Sequence, residues 1–161
     1  MKTILGVIAF FSMITLATVH PAFAADSEHQ NLDDSDLAIQ GYDPVSYHAG
    51  NPLKGSGEIS MTHKGAKYHF ASKENLALFK SAPDKYVPAL GGWCAWAMLD
   101  GEKVEIDPGT YKIVNDRTYL FYNSFFTNTL TKWNKLSDQE TESSLAEKAQ
   151  SNWEVLKGKT D

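Results

Sequence analysis

The sequence predicts an α+β fold, in which a small antiparallel β-sheet made of two hairpins is packed by several helices in a single domain. Two stretches of alternating apolar and polar residues, each broken by a short polar turn, predict the hairpins. Apolar residues at helical spacing behind serine or aspartate caps predict the helices. The order of hairpin, helices, hairpin and helices indicates an α+β domain.

The N-terminus carries the pattern of a cleaved signal peptide. Lys2 precedes a nearly unbroken apolar run over residues 4–19, and Ala22-Phe23-Ala24 matches the A-x-A cleavage pattern. The run is short for a bilayer span, which takes about 20 residues. We therefore expect residues 1–24 to be removed after Ala24, and we expect a periplasmic or secreted protein with no membrane contact after cleavage.

The whole chain has 15 basic and 20 acidic residues, so loss of Lys2 with the signal leaves 14 basic residues and a net charge of −6. This charge argues against nucleic acid or an anionic membrane as a partner. The remaining length suits one domain, which we place at 37–156, between an acidic flexible leader at 25–36 and a flexible tail at 157–161. Because Cys94 is the sole cysteine, no intramolecular disulfide can form.

A short helix is predicted before the first hairpin. Asp43 can cap it, and Pro44 can take its first position because proline needs no amide hydrogen there. The helix would carry Tyr47 and His48 and would end near Gly50.

The first hairpin is predicted from strands at 58–63 and 67–71. A two-residue loop places the apolar residues of both strands on one face together with His63, and places His69 on the other face. A three-residue loop would instead bring His63 and His69 to the same face. We favour the two-residue loop because a slip of one residue loses the apolar alignment. The two histidines are then on opposite faces, which works against their binding one metal ion.

The later elements follow from caps and spacing. In chain order we expect a helix at 73–81 behind the cap Ser72, a helix at 93–99, strands at 111–114 and 118–122, and a helix at 125–133. The S-x-x-E pattern at 137–140 is a capping box, which predicts a last helix that runs to about Leu156.

Cys94 and Met98 are the first candidates for metal chemistry. Four residues apart on a predicted helix, a thiolate and a thioether share one face and can hold a soft ion such as Cu(I). The alternative is that both fill the core, where these residue types are common. His48, His63 and His69 are the candidate imidazole ligands, and with Cys94 they would suit a copper or zinc ion. No H-x-x-x-H or C-x-x-C pair is present, so the spacing itself does not indicate a site.

Several motifs, taken in order, resemble the YHS-domain family, and in particular its small exported bacterial members. They are GYDPVSY at 41–47, KYHFAS at 67–72, F-x-x-x-P-x-x-Y at 79–86 and GGWCAW at 91–96. The family name fits Tyr68, His69 and Ser72.

The resemblance implies metal sensing or delivery, because related modules occur in copper-transporting and other heavy-metal ATPases. Those modules often carry cysteines where this chain has Ser46 and Ala71. A thiol site at these two positions is therefore not implied.

The resulting expectation is an exported metal-binding or metal-homeostasis accessory module, with copper as the first ion. One alternative is a non-enzymatic domain that binds a ligand or a periplasmic protein in an aromatic groove, formed by Tyr42, Asp43, Tyr47, Tyr68, Trp93 and Trp96. Another is a thiol redox accessory protein that acts through Cys94 with an external resolving thiol. The chain has no G-x-S-x-G elbow, and a cysteine with a histidine elsewhere is a weak signature, so the sequence does not indicate an enzyme.

Overall fold

The computed structural model describes residues 29–159. The predicted signal peptide, the first residues of the acidic leader, and the last two residues of the predicted tail lie outside this range. Within residues 29–159, no helix is both long and apolar enough to cross a membrane.

The prediction of an α+β fold is confirmed. Between residues 29 and 159 the strands are β1 (Ser56–His63), β2 (Ala66–Phe70), β3 (Asp107–Val114), β4 (Arg117–Phe121), β5 (Asn123–Ser124) and β6 (Thr127–Asn128). The α-helices are α1 (Lys73–Ser81), α2 (Pro83–Tyr86), α3 (Ala95–Met98), α4 (Thr129–Ser137) and α5 (Glu142–Lys157). Each hairpin forms its own two-stranded antiparallel sheet, so the predicted hairpins do not join into one sheet. The predicted short helix before the first hairpin is a 3-10 helix, Ser46–Ala49.

The hairpin β1–β2 has the two-residue loop that the sequence favours. His63 pairs with Ala66, which leaves Lys64-Gly65 as the loop. Both loop residues have a positive φ, as in the type I′ turn whose twist matches that of paired strands. Because side chains alternate between faces along a strand, His69, which pairs with Ser60, lies on the opposite face from His63. The predicted separation of the two histidines is confirmed.

The predicted helix at 125–133 is wrong in its first part. Strands β5 and β6 form a third hairpin there, and its turn is Phe125-Phe126. Helix α4 begins after Asn128, whose side-chain oxygen accepts a hydrogen bond from the backbone N–H of Thr131 and so caps the helix. The apolar pair had suggested a helix interior, but the cap lies two residues beyond it.

The predicted capping box at 137–140 is also wrong. Ser137 is the last residue of α4, and α5 begins one turn later, where the Thr141 hydroxyl accepts a hydrogen bond from the N–H of Ser144. The apolar spacing predicted for this helix is confirmed, since its buried face includes Leu145, Ala149 and Trp153.

Two clusters of buried side chains form the core. One lies against the first hairpin, where Phe79 of α1 packs on both aromatic rings of β2 at centroid distances of 5.1 Å. The other lies between the second hairpin, α4 and α5, and includes the fully buried Trp133. The segment around α3 joins the two, because Cys94 belongs to the first cluster and Met98 to the second.

Candidate functional site

The Asp43 carboxylate ties the segment before the first hairpin to the end of that hairpin. Its Oδ1 accepts a hydrogen bond from Val45 N at 2.8 Å, and its Oδ2 accepts from Ala71 N at 2.8 Å and from Asn75 Nδ2 at 2.7 Å. The residue is 0% exposed. A buried carboxylate with three donors is fully used within the protein, so Asp43 acts as a clamp and presents no surface to a ligand.

The three residues that fit the family name have separate structural surroundings. Tyr68 is buried in the first core cluster, whereas Ser72 caps α1 by accepting a hydrogen bond from the backbone N–H three residues later. His69 faces the other side of the hairpin and packs under Gly55, where an added Cβ would lie 2.4 Å from the His69 carbonyl carbon. These three side chains therefore do not converge on one ligand.

Cys94 is buried, with 0% of its surface exposed. Its Sγ lies 3.4 Å from the Thr129 hydroxyl and accepts a hydrogen bond from the backbone N–H of Tyr122 at 3.3 Å. Its own backbone N–H donates to Val104 O. A thiol that is enclosed and hydrogen-bonded in this way joins α4 to the end of the second hairpin, and a thiol-exchange partner cannot reach it in the folded state.

The candidate metal ligands are not gathered in one place. Among residues 29–159, no group of three His, Cys, Asp or Glu side chains is arranged to hold a metal ion. Cys94 and Met98 do not share a helix face, because Cys94 precedes α3 and has a non-helical ψ of 119°. The argument from a spacing of four therefore does not apply, and the two side chains enter different core clusters.

His48 lies in a polar contact near the loop of the second hairpin. Its Nδ1 is 3.5 Å from Asp116 Oδ1, and its Nε2 is 3.4 Å from the Thr118 hydroxyl. Burial lowers the pKa of His48, although the Asp116 carboxylate acts in the opposite direction, and the nearby Lys85 adds to the lowering. His48 is therefore favoured in its neutral form, which is the form that can bind a metal.

His63 lies at the loop end of the first hairpin. Its Nε2 is buried, is 3.6 Å from Asp84 Oδ1, and makes no hydrogen bond to a described residue. The ring packs edge-on against Phe79 at 5.9 Å. The carboxylate is shared with Lys64, whose Nζ lies 2.8 Å away. Each of the three histidines thus has its own neighbours, and none of them contacts Cys94 through a hydrogen bond.

A surface cleft of about 160 Å³ lies between the first hairpin and the C-terminal helix. We call it the hairpin cleft. It is lined by Gln30, His63, Lys64, Tyr68, Val87, Pro88, Gly91, Trp153 and Lys157. A Cβ added at Gly91, whose φ is +62°, would lie 2.7 Å from Trp153 Cζ2, so the glycine allows the indole to lie close to the backbone.

Tyr68 provides a hydroxyl to this cleft. The residue is 2% exposed, and its hydroxyl makes no hydrogen bond to another residue between 29 and 159. Burial raises the pKa of Tyr68, so the group remains a neutral hydroxyl that can donate a hydrogen bond. A hydroxyl without a protein partner that reaches the solvent at the wall of a cleft is a candidate ligand contact.

The lining of the hairpin cleft includes two cations and no carboxylate. Lys64 pairs with Asp84 outside the lining, and Lys157 pairs with Glu154 at 2.9 Å. The ammonium group of Lys157 also lies 5.6 Å from the centre of the Trp153 ring. The local chemistry combines hydrogen-bond donors with an aromatic surface, and this suits a small anion with a flat apolar part.

The six residues of the predicted aromatic groove do not meet in one cleft. Asp43 and Tyr47 are 0% and 1% exposed, and the Tyr47 hydroxyl donates to Pro108 O at 2.8 Å. Trp93 donates through Nε1 to His29 O, and Trp96 lines a different cleft beside α4. The remaining member besides Tyr68 is Tyr42, whose ring lies 5.1 Å from the Lys54 ammonium group. Tyr68 alone of the six lines the hairpin cleft.

Sequence reasoning missed most of the hairpin cleft. Trp153 and Lys157 come from α5, and their helical spacing showed which face is buried but not what it packs against. Val87 and Pro88 belong to a connecting segment without a recognisable ligand pattern. The sequence does place Tyr68 on the apolar face of a strand that follows a turn with Lys64. It does not identify the residues that line the other side of the cleft.

The family model described as YHS domain matches residues 45–90. This range covers the first hairpin, α1, α2 and the start of the segment that leads to Gly91. No curated protein and no solved structure matches the chain at a significant level.

Proposed function

Because the family model described as YHS domain matches residues 45–90, we propose that the protein is a non-enzymatic binding module and that the hairpin cleft is its ligand site. Five of the nine residues that line the cleft lie within the matched range: His63, Lys64, Tyr68, Val87 and Pro88. The other four come from outside the range and close the cleft from the opposite side. The binding site would therefore be a joint product of the YHS domain and the C-terminal helix.

The observation that carries this proposal is the Tyr68 hydroxyl. Within residues 29–159 this hydroxyl has no hydrogen-bond partner, and it is not among the fully buried side-chain atoms that lack one, so it meets the solvent of the cleft and is available to a ligand. The Tyr68 ring is held by Phe79, which means that the hydroxyl cannot turn away to find another acceptor without repacking the core. A ligand oxygen in the cleft would satisfy it.

The charge of the lining suggests the ligand class. With Lys64 and Lys157 at the rim and no acidic residue in the lining, an organic anion is favoured over a cation. Trp153, which is 5% exposed, adds aromatic surface to the lining. A small aromatic carboxylate meets both conditions, and benzoate is a suitable probe.

The experiment is a titration of ¹⁵N-labelled protein with benzoate, with benzamide as the neutral analogue and benzylamine as the cation. We expect benzoate to shift the amide signals of Lys64 and Gly91 and to bind more tightly than benzamide, and we expect benzylamine not to bind. Tyr68→Phe should weaken benzoate by roughly tenfold or more, because a hydrogen bond to a charged group contributes about 1.5–3 kcal/mol.

Tyr119→Phe is the matched control. Tyr119 is also a buried strand tyrosine, at 4% exposure, but it packs on Trp133 and does not line the cleft. It should leave benzoate affinity unchanged. Equal affinity of Tyr68→Phe and the natural protein, or shifts confined to residues away from the cleft, would refute the proposal.

A second candidate function is metal-ion binding, with copper first and zinc second. Its support is the YHS match together with the candidate ligands Cys94, Met98, His48, His69 and His63. The test is anaerobic titration with Cu(I) and, in parallel, with Zn(II). One-to-one binding that Cys94→Ala or His48→Gln abolishes would support a resident ion, and the absence of binding by either metal would remove this candidate.

We also propose that the protein works after export. The support is the signal pattern that ends at Ala24. Mass spectrometry of the protein recovered from the periplasm of a bacterial host should give a chain that begins at Ala25. A chain that keeps residues 1–24, or that stays in the cytoplasm, would contradict the proposal.

A further inference from the structure

The turn of the third hairpin exposes two adjacent phenylalanines. Phe125 is 94% exposed and Phe126 is 91% exposed, and their rings pack edge-on at 4.9 Å. The other exposed large apolar residues of the described chain reach 61% at most. Single exposed apolar residues are ordinary on protein surfaces, but two whole aromatic rings on one protruding turn form a contiguous apolar feature.

The fold does not require these residue types at the turn. Two-residue hairpin turns favour glycine, asparagine and aspartate, because the preferred turn types need a positive φ. Neither Phe125 nor Phe126 has one, and neither ring packs into the core. Where a sequence departs from local preference without a gain in packing, a functional reason is expected.

The charges near this turn are of one sign. From 117 to 137 the chain contains Arg117, Lys132 and Lys135 and no acidic residue. Arg117 is held by Gln150, whereas Lys132 and Lys135 are exposed on α4, the helix that follows the hairpin directly. Both lysines also line an apolar cleft of about 250 Å³.

Acidic groups adjoin the hairpin and the end of α4. Asp107 sits at the base of the hairpin, where it accepts hydrogen bonds from Thr110, the Gly109 N–H and Asn123. These bonds outweigh the effect of burial and lower the pKa of Asp107. Asp138 and Glu140 are exposed, and they come after the last residue of α4.

We propose that this surface, defined by Phe125, Phe126, Lys132 and Lys135, docks the protein reversibly on an anionic lipid bilayer. The two rings enter the boundary between headgroups and acyl chains, and the two ammonium groups contact lipid phosphates. The net charge of −6 expected after signal cleavage does not prevent this, because salt screens charges more than about 10 Å away and leaves the local lysines dominant. This inference goes beyond the hairpin cleft and does not rest on it.

The experiment is co-sedimentation with vesicles, using protein recovered from the periplasm so that every variant has the same N-terminus. We expect binding to phosphatidylcholine vesicles that contain phosphatidylglycerol, and weaker binding at high salt or to phosphatidylcholine alone. F125S/F126S should lower the partition coefficient by at least about tenfold, because two apolar side chains no longer leave water. Lys132→Gln and Lys135→Gln should each lower it about fivefold on the anionic vesicles.

Leu78→Ser and Val155→Ser are the matched controls, since these residues are 48% and 61% exposed but lie on α1 and α5. They should not change vesicle binding. The circular dichroism spectrum of F125S/F126S should match that of the natural protein, because the removed rings are outside the core. The proposal would be overturned if F125S/F126S bound the vesicles as tightly as the natural protein, or if the natural protein did not bind the anionic vesicles. It would also be overturned if the natural protein associated with itself instead of with vesicles and F125S/F126S removed that self-association.

Discussion

Replacement of Asp43 by asparagine tests how the first hairpin is held to the segment before it. The substitution keeps the size and shape of the side chain but turns one terminal oxygen into an NH₂ group. The natural carboxylate faces donors on both oxygens: one on Oδ1, from Val45, and two on Oδ2, from Ala71 and Asn75. Whichever way the new amide turns, a donor in the protein meets a donor in the side chain.

The magnitude follows from counting these contacts. At least one hydrogen bond to a charged group is lost, which contributes roughly 1.5–3 kcal/mol, and the buried N–H left behind costs roughly 1–3 kcal/mol more. Relaxation around the site recovers part of this. We therefore expect Asp43→Asn to lower the free energy of unfolding by about 2–5 kcal/mol, a large share of the stability of a domain of this size.

The assay is urea denaturation followed by circular dichroism and tryptophan fluorescence. Asp138→Asn is the control, because Asp138 is exposed and makes no side-chain hydrogen bond within residues 29–159. The urea midpoint of this variant should equal that of the natural protein. If the free energy of unfolding of Asp43→Asn lies within about 0.5 kcal/mol of that of the natural protein, the carboxylate does not hold the two segments together.

Three further predictions concern other contacts. Gly91→Ala should lower the free energy of unfolding by about 1–3 kcal/mol, because its Cβ would meet Trp153 at 2.7 Å; thermal melts should show a smaller effect for Gly101→Ala, which has a positive φ but open space. Burial lowers the pKa of His48 from 6.5, so the folded state binds fewer protons than the unfolded chain, and stability should fall as pH drops through 6.5. His48→Gln should flatten that decrease in urea midpoints. Cys94 should react with a thiol reagent at a rate set by unfolding, and immediate labelling of the native protein would contradict its burial.

The parts of the fold that could be predicted depend on short-range chemistry. The loop Lys64-Gly65 and the register of the first hairpin followed from apolar alternation, because a slip of one residue would expose the whole apolar face. The helix 73–81 was predicted with its bounds, because Ser72 supplies a side-chain cap directly before an apolar face.

The wrong elements are those where two caps compete. Ser137 and Thr141 can each cap a helix, and the choice depends on where α4 ends, which tertiary packing decides. Similarly, Phe125 and Phe126 fit a helix interior by composition. Asn128 caps α4 instead, and the pair is left in a turn.

The candidate site could not be predicted because its walls come from distant parts of the chain. Tyr68 was named from its motif, but Trp153 faces it from a helix more than eighty positions later, and no local signal connects the two. The argument that Cys94 and Met98 share one helix face failed for a local reason. It needed Cys94 to lie on a helix, and the backbone at Cys94 is still extended when α3 begins.

Cys94 and the pair Phe125-Phe126 differ in the kind of evidence they offer for function. The cysteine is conspicuous in the sequence because it is alone, but its sulfur is enclosed and hydrogen-bonded within the core. The phenylalanines belong to no recognised motif in the sequence, yet their rings are exposed and add no core packing to the fold. A crossed experiment separates the two roles. Cys94→Ala should lower the free energy of unfolding by about 1–3 kcal/mol and leave vesicle and benzoate binding unchanged, since it removes a buried contact. F125S/F126S should leave stability unchanged and lower vesicle binding by at least about tenfold. If Cys94→Ala instead removes vesicle or benzoate binding without lowering the free energy of unfolding, the thiol is a functional group and the structural role assigned to it is wrong.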